Sequence, residues 1–501
     1  MTPRVILLNR SLPGALDAGT WPEAAATLPL LPAAVETRSW PGDGGWVVYV
    51  VSTGCVAWMD DVGRQCLAGI WTAPFAGLQT WPRETCGETE ARTTLATVLR
   101  AIGTNSGKRT SAVPFSVDDE YVSRRQLTGL TLTVTGRCNL RCSYCFGEKE
   151  YMHQKEVMTG DVARRALDVL FQGDVQTARR VEFFGGEPLL AFDTMREAVE
   201  YTEARGYRVG FAVTTNGSLL SPGVARFLGD HRFDVSVSLD GPPRHHDGPR
   251  KLPSGAGSAG AVLRGLECLR RFAPNVKTQI NTVLTHRSIQ HAVEIIEFLL
   301  GEGFRNIYLC PVRGGGNEFA FTESDHATFR DLQRLIVSMR LTDTRYADVD
   351  LGGFGAVADR VARGTKCHYG CGADIGLSSA CVLPNGDLYP CYRLAKLDEF
   401  KIGNVARELS HAWRVPFFNN NVDNRECRSC WARYLCGGGC PAQALLSTGD
   451  LRRPDRQGCR VVLENTEDII RTFATAALAR FTSDEGPGPL GDATVAREHG
   501  P

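Results

Sequence analysis

Two dense cysteine blocks constrain this chain more than any other feature. Of its 17 cysteines, three (Cys138, Cys142, Cys145) fall within eight residues, nine lie between Cys367 and Cys459, and five (Cys55, Cys66, Cys86, Cys268, Cys310) are scattered. An odd total rules out complete internal pairing. The N-terminal run of four apolar residues before Asn9 and Arg10 is too short for a signal-peptide core. The most apolar stretch, 46–59, is interrupted at Ser52, Thr53 and Gly54 and falls short of the ~20 residues a bilayer-spanning helix needs. A cytoplasmic location is therefore expected, where clustered thiols serve metal binding or catalysis rather than disulfides. The five scattered cysteines read as small buried hydrophobes.

At roughly 150 residues per domain, 501 residues correspond to about three folding units. Lys+Arg and Asp+Glu both number 56, so there is no broad basic face to attract nucleic acid. Runs rich in β-branched and aromatic residues at 46–51 and 55–59 predict a hairpin. Helical spacing of Val62, Cys66, Leu67 and Ile70, and then of Leu95, Val98, Leu99 and Ile102, predicts two helices after it. Residues 1–105 thus read as a small α+β domain and 106–128 as a linker. From 129 to 345, apolar strands (130–134, 181–184, 209–215, 235–239, 276–284, 307–312) alternate with amphipathic helices (160–172, 193–205, 288–301). The fold class is α/β, a partial (β/α)6 TIM-type barrel, with chemistry expected at the C-terminal ends of its strands. Residues 346–480 form a cysteine-rich domain, and 481–501, with Gly-Pro-Gly-Pro, a disordered tail.

The first cysteine block follows the strand at 130–134 directly. Three thiolates from one loop can cap three corners of a cubane iron–sulfur cluster and leave one iron open; a zinc knuckle completed by His153 is the competing reading. Here the sequence resembles the radical S-adenosylmethionine (radical SAM) superfamily, whose hallmark is CxxxCxxC with an aromatic, here Tyr144, before the last cysteine. Further matches follow in order: Gly185, Gly186, Glu187 and Pro188 after the second strand, Thr215, Asn216 and Gly217 after the third, and Ser238, Asp240 and Gly241 followed by His246, Asp247 and Arg250 after the fourth. The resemblance implies that these positions bind SAM, with Glu187 on its methionine amino group and Ser238 and Arg250 on its ribose and carboxylate. It also implies that Cys138, Cys142 and Cys145 hold a [4Fe–4S] cluster that reduces SAM to a 5′-deoxyadenosyl radical, which then removes a substrate hydrogen.

The second block, Cys427-x2-Cys430-x5-Cys436-x3-Cys440 with Cys459 beyond it and Cys371-x14-Gly386-x4-Cys391 before it, resembles the SPASM extension. A pair of structural zinc sites is the competing reading. The resemblance implies two auxiliary [4Fe–4S] clusters, three in all. Cys427, Cys430, Cys436 and Cys459 would hold the distal one, and Cys371, Cys391 and Cys440 the proximal one. Cys367 is preferred as its fourth ligand, with Cys381 or an empty place as alternatives.

SPASM-bearing relatives mostly modify peptides, and residues 1–105 resemble the winged-helix-like unit that captures a precursor's leader by strand addition. The expected function is a ribosomal-peptide (RiPP) maturase that installs a thioether, C–C or C–O cross-link. Its expected partners are a precursor peptide with its leader and a flavodoxin- or ferredoxin-type reductant, with no nucleic acid and no membrane. A sulfatase-maturating enzyme is the runner-up, disfavoured because Tyr392 stands where those relatives carry Asp after the YPC cysteine. A radical enzyme for a small molecule and a non-catalytic cluster carrier are further alternatives. No catalytic base can be nominated from sequence. Changing Cys138, Cys142 and Cys145 together to Ala is expected to abolish 5′-deoxyadenosine formation from SAM under anaerobic reduction; persistent cleavage would overturn the assignment of the first block.

Overall fold

The computed structural model describes residues 5–7, 37–42, 44–51, 54–61, 64, 116–145, 155–172, 177–312, 318–371, 377–395, 397–407, 410 and 412–482. The expected hairpin is present: β3 (Gly45–Val50) and β4 (Cys55–Met59) pair antiparallel, flanked by β1 (Val5–Leu7) and β2 (Thr37–Gly42) in the order β1-β4-β3-β2. The helix expected over 95–102, Cys66, Cys86, most of the helix expected from Asp60, and the tail beyond Thr482 lie outside the described residues.

The strand–helix alternation builds the main sheet. Parallel strands β5 (Gly129–Thr135), β7 (Arg179–Gly185), β8 (Val209–Thr215), β9 (Asp234–Ser238), β11 (Lys277–Leu284), β12 (Ile307–Pro311) and β13 (Val349–Leu351) lie side by side in chain order. Between them run helices α1 (Gly160–Leu170), α2 (Phe192–Ala204), α3 (Pro222–Asp230), α4 (Ala259–Phe272), α5 (Ala292–Gly301) and α6 (Glu323–Thr342). Two-residue strands β6 (Arg141–Cys142) and β10 (Arg250–Lys251) pair with each other apart from this sheet. The helix α1 shows the local logic. Thr159 caps it by accepting from the Val162 N–H, and Ala163, Ala166, Leu167 and Leu170 bury one stripe against the sheet.

Alternation decides which face each strand presents. Leu130, Leu132, Val134, Val181, Phe183, Val213, Val235, Val237, Ile280 and Leu309 pack into the helix-covered core. Their neighbours, Thr131, Thr133, Glu182, Phe184, Thr214, Ser236, Ser238, Gln279, Asn281 and Tyr308, therefore face the barrel lumen. Polar residues at every second position of otherwise apolar strands are thus the sequence trace of a working interior.

A feature not foreseen is that the cysteine-rich domain continues this sheet. After α7 (Phe354–Arg363), strand β14 (Ser379–Val382) pairs parallel with β5, and β15 (Asp387–Tyr389) and β16 (Gly403–Asn404) follow antiparallel. The segment ahead of β5 is anchored to the same domain. Arg414, 1% exposed, donates to the carbonyls of Val122, Arg125 and Leu377, and Asn419 exchanges two hydrogen bonds with the Val117 backbone.

The terminal helix α8 (Arg456–Thr482), about 40 Å long at 1.5 Å per residue, lies against α6 through ion pairs such as Arg334–Asp468 at 2.6 Å. The N-terminal sheet seats its other apolar residues on α7 and α8: Trp40, Val47, Tyr49, Val56 and Trp58 pack with Val361, Ile469, Ile470 and Phe473. Trp40 meets Trp431 edge-on at 5.5 Å, an arrangement worth ~0.5–1.5 kcal/mol beyond its buried area. Phe473→Ala at this seam is expected to lower stability by about 3–5 kcal/mol. Leu446→Ala, at a side chain 51% exposed, should change it by less than ~0.5 kcal/mol; parallel urea unfolding curves check the pair.

Candidate functional site

The loop after β5 is held by backbone contacts that only glycine allows. Gly186 N–H donates to the Thr135 carbonyl at 2.8 Å, and Glu187 N–H to that of Arg137 at 2.7 Å. A Cβ on Gly185, whose φ is +149°, would lie 2.3 Å from the Thr135 oxygen, and one on Gly186 2.2 Å from that of Arg137. The Gly-Gly pair is therefore required for the end of β7 to close on the cysteine loop.

Glu187 extends this connection to β8. Fully buried, it accepts from Leu189 N–H at 3.1 Å, Thr215 Oγ1 at 2.6 Å and Asn216 N–H at 2.7 Å. Burial pushes its carboxyl up to about 7 in spite of these three donors. Asn216 in turn donates from Nδ2 to Asn139 Oδ1 at 2.9 Å and to Cys138 Sγ at 3.9 Å.

A second network fastens the other side of the loop. Pairing of β6 with β10 sets Cys142 opposite Arg250. Asp240 accepts from the Tyr144 hydroxyl, from Arg250 Nε at 2.9 Å and from Val283 N–H at 3.0 Å, while the guanidinium lies 5.4 Å from the Tyr144 ring centroid. Asp240 N–H donates to His246 Nδ1 at 3.2 Å. The other imidazole nitrogen meets Ser258 Oγ at 3.0 Å, and Ser258 donates to the Arg250 carbonyl at 2.8 Å.

The expected SAM contacts thus divide. Tyr144, Glu187, Pro188, Asn216, Asp240 and Arg250 are buried, and the polar groups among them are engaged with one another and with the loop. Ser238 is half-buried and faces the lumen at the end of β9, in register with Asn281, and Gly186 is half-buried at the rim. The placement of Glu187 and Arg250 gives them an architectural task that the sequence reading left out.

The donor chemistry fits iron–sulfur clusters. Burial raises the Cys138 thiol and pushes Cys142 up to about 12, Arg250 acts against the latter shift, and neighbouring thiols add to both. Three crowded, desolvated sulfurs can ionise together only around a cationic core. Cys371, Cys391 and Cys440 share one packing cluster. Cys436 and Cys459 are each pushed up to about 11 by burial, with Cys427 and Cys430 adding to the effect. Both expected groupings are thereby brought together. Cys367 lies against the distal group: its Sγ is 2.7 Å from where a Cβ on Gly437 would sit, and it raises the Cys436 thiol. Cys381 sits in β14, 1% exposed and 3.5 Å from Thr133 Oγ1, with Tyr389 and Tyr392 packed beside it.

Side chains that the motif reading missed line the lumen. Glu182 accepts from Thr214 Oγ1 at 2.9 Å, and burial raises its carboxyl. Tyr392 stacks on Phe184 with centroids 4.8 Å apart. Of the scattered cysteines, Cys55 is buried and Cys268 packs against the core, as expected, whereas Cys310 is half-buried on the lumen side of β12.

The radical SAM superfamily model matches residues 132–299, and the SPASM iron–sulfur cluster-binding domain model residues 371–431. A cysteine-type anaerobic sulfatase-maturating enzyme of Clostridium novyi is 25% identical over 343 residues, covering 63% of this chain and 88% of that protein. In fold, the chain is similar to anSMEcpe with bound AdoMet and Cp18Cys peptide (TM-score 0.59, 20% identity, 71% of this chain and 99% of the other). It is likewise similar to Streptococcus suis SuiB bound to S-adenosylmethionine (TM-score 0.51, 14% identity, 84% and 99%). Among the described residues no helix is long and apolar enough to cross a membrane.

His246, with no exposed surface, has its pKa lowered by burial to about 4. The unfolded chain then binds a proton near 6.5 that the folded one does not, so stability is lost as pH falls from 7 to 4, by about 3 kcal/mol at ~1.4 kcal/mol per unit. Glu187, raised above its unfolded value, acts in the opposite sense, losing stability as pH rises from 4.5 through 7. The difference between wild-type and His246→Gln urea midpoints across this window is the measurement. A difference that does not change with pH would contradict the buried neutral imidazole.

Proposed function

We propose, from the premise that this chain is a radical SAM enzyme with a SPASM domain, that it is a maturase installing a thioether, C–C or C–O cross-link on a precursor peptide. The observation that carries the reading is the N-terminal sheet seated on α7 and α8, with no described strand pairing to the outer edges of β1 and β2. An unpaired edge offers main-chain donors and acceptors to an extended leader.

In this reading Cys138, Cys142 and Cys145 hold the SAM-binding cluster, Cys427, Cys430, Cys436 and Cys459 the distal auxiliary cluster, and Cys371, Cys391 and Cys440 the proximal one. With Cys367 beside Cys436, the fourth proximal place falls to Cys381, whose sulfur neighbours Cys391, or stays without a thiol. When bound, the first cluster and SAM supply a 5′-deoxyadenosyl radical that takes a hydrogen atom from the substrate. The chain's own residues orient and enclose that event: the Gly185-Gly186 turn fixes the loop, Ser238 and Asn281 line the mouth, and Phe184 with Tyr392 exclude water. Each new bond also releases a proton and an electron; the lumen-facing Glu182 carboxylate is able to take the proton, and the auxiliary clusters would take the electron.

A second reading, formylglycine formation, is favoured by the likeness to the Clostridium novyi enzyme, which spans 88% of that protein. Tyr392 opposes it, because no carboxylate follows Cys391. Anaerobic co-expression with short peptides encoded beside the gene separates the two. Cross-linking removes two hydrogens per bond and leaves no aldehyde, whereas formylglycine is captured by a hydrazide probe. Unchanged masses for all such peptides would sink the maturase reading.

A further inference from the structure

Arg393 reaches two of the thiols assigned to the proximal auxiliary cluster from opposite directions. Its backbone N–H donates to Cys391 Sγ at 3.3 Å, where Cys391 caps the short 3-10 turn Tyr392–Leu394. Its side chain then turns back, Nη1 donating to Cys440 Sγ at 3.7 Å and Nη2 to Gln443 Oε1 at 3.0 Å. Cys440 opens the helix Pro441–Thr448, so Gln443 holds the guanidinium over a sulfur one turn away. Among the described residues no ion pair joins Arg393 to a carboxylate, and the side-chain hydrogen bonds of this half-buried cation run to Cys440 and Gln443.

Hydrogen bonds to cluster sulfurs and a nearby positive charge favour the more negative, reduced state, and so raise the reduction potential. Resting on the ligand assignment above, we propose that Arg393 is a positioning residue that sets the potential of the proximal cluster and keeps it able to accept an electron. An ordinary folding role would call only for shape and hydrogen bonding. A tuning role calls for the charge.

The test is an EPR-monitored redox titration of the full-length, anaerobically reconstituted enzyme. In Arg393→Gln, the reduced-to-oxidised ratio of one cluster at fixed potential is expected to fall about tenfold, a shift of ~59 mV for a one-electron couple, with iron content unchanged and the other clusters unmoved. Arg393→Lys should recover much of the shift. Unchanged midpoints in a fully loaded Arg393→Gln enzyme would overturn the proposal. If that variant loses iron, Gln443→Leu decides, since it frees the guanidinium without removing it: a smaller fall in the same cluster supports tuning, and no fall overturns it. Cys440→Ala tests the underlying assignment separately. It should eliminate or alter one auxiliary signal, and three unaltered signals would refute the ligand set itself.

Discussion

Everything at the mouth of this barrel depends on one close backbone approach. The carbonyls of Thr135 and Arg137 occupy the space where Cβ atoms of Gly185 and Gly186 would stand. That apposition lets the ends of two neighbouring strands share hydrogen bonds, and Glu187 passes the connection to a third. The cysteine loop is consequently part of the sheet's end rather than a free excursion from it. A loop that must present three sulfurs to one object gains from being stiff before that object arrives, because less ordering entropy remains to be lost on binding.

Buried charge is handled by the same economy of elements. Asp240, 2% exposed, and Arg250, 7% exposed, neutralise each other, and each also bonds to a group on another segment. Removing one member of such a pair leaves the other desolvated, a loss of about 3–5 kcal/mol. Through the Tyr144 hydroxyl bound to Asp240, this pair also anchors the cysteine loop beside β10. His246 and Ser258 complete the ring of bonds, so the side of the loop away from Glu187 is equally constrained.

The barrel was legible because apolar and polar residues alternate along each strand, and the structure reproduces the expected strands to within about two residues. The cysteine groupings came from the resemblance to the SPASM pattern, and the structure packs Cys371, Cys391 and Cys440 together. The joining of β14 to β5 was not: Ser379–Val382 is four residues long, and its partner lies some 250 residues away in the chain. Nor could spacing reveal that Cys367 meets the Cys436 side, which follows from how Gly370 packs against the turn of Gly437 and Gly439. Motif reading gave Glu187 and Arg250 a ligand to hold; their burial and hydrogen bonds show that they also hold the loop. A motif marks that a position is chemically particular without saying whether the particularity is contact or construction.

The continuity of the sheet across the two cysteine-bearing units has a metrical consequence. The first cysteine block leaves the end of β5, and Cys391 follows β15, two ladder steps away through β14. At ~4.8 Å per step, the lateral offset between these strands is about 10 Å, set by hydrogen bonds rather than by a tether. The sheet therefore serves as a ruler, and the spacing of the two cysteine groups cannot drift with the motions of a linker.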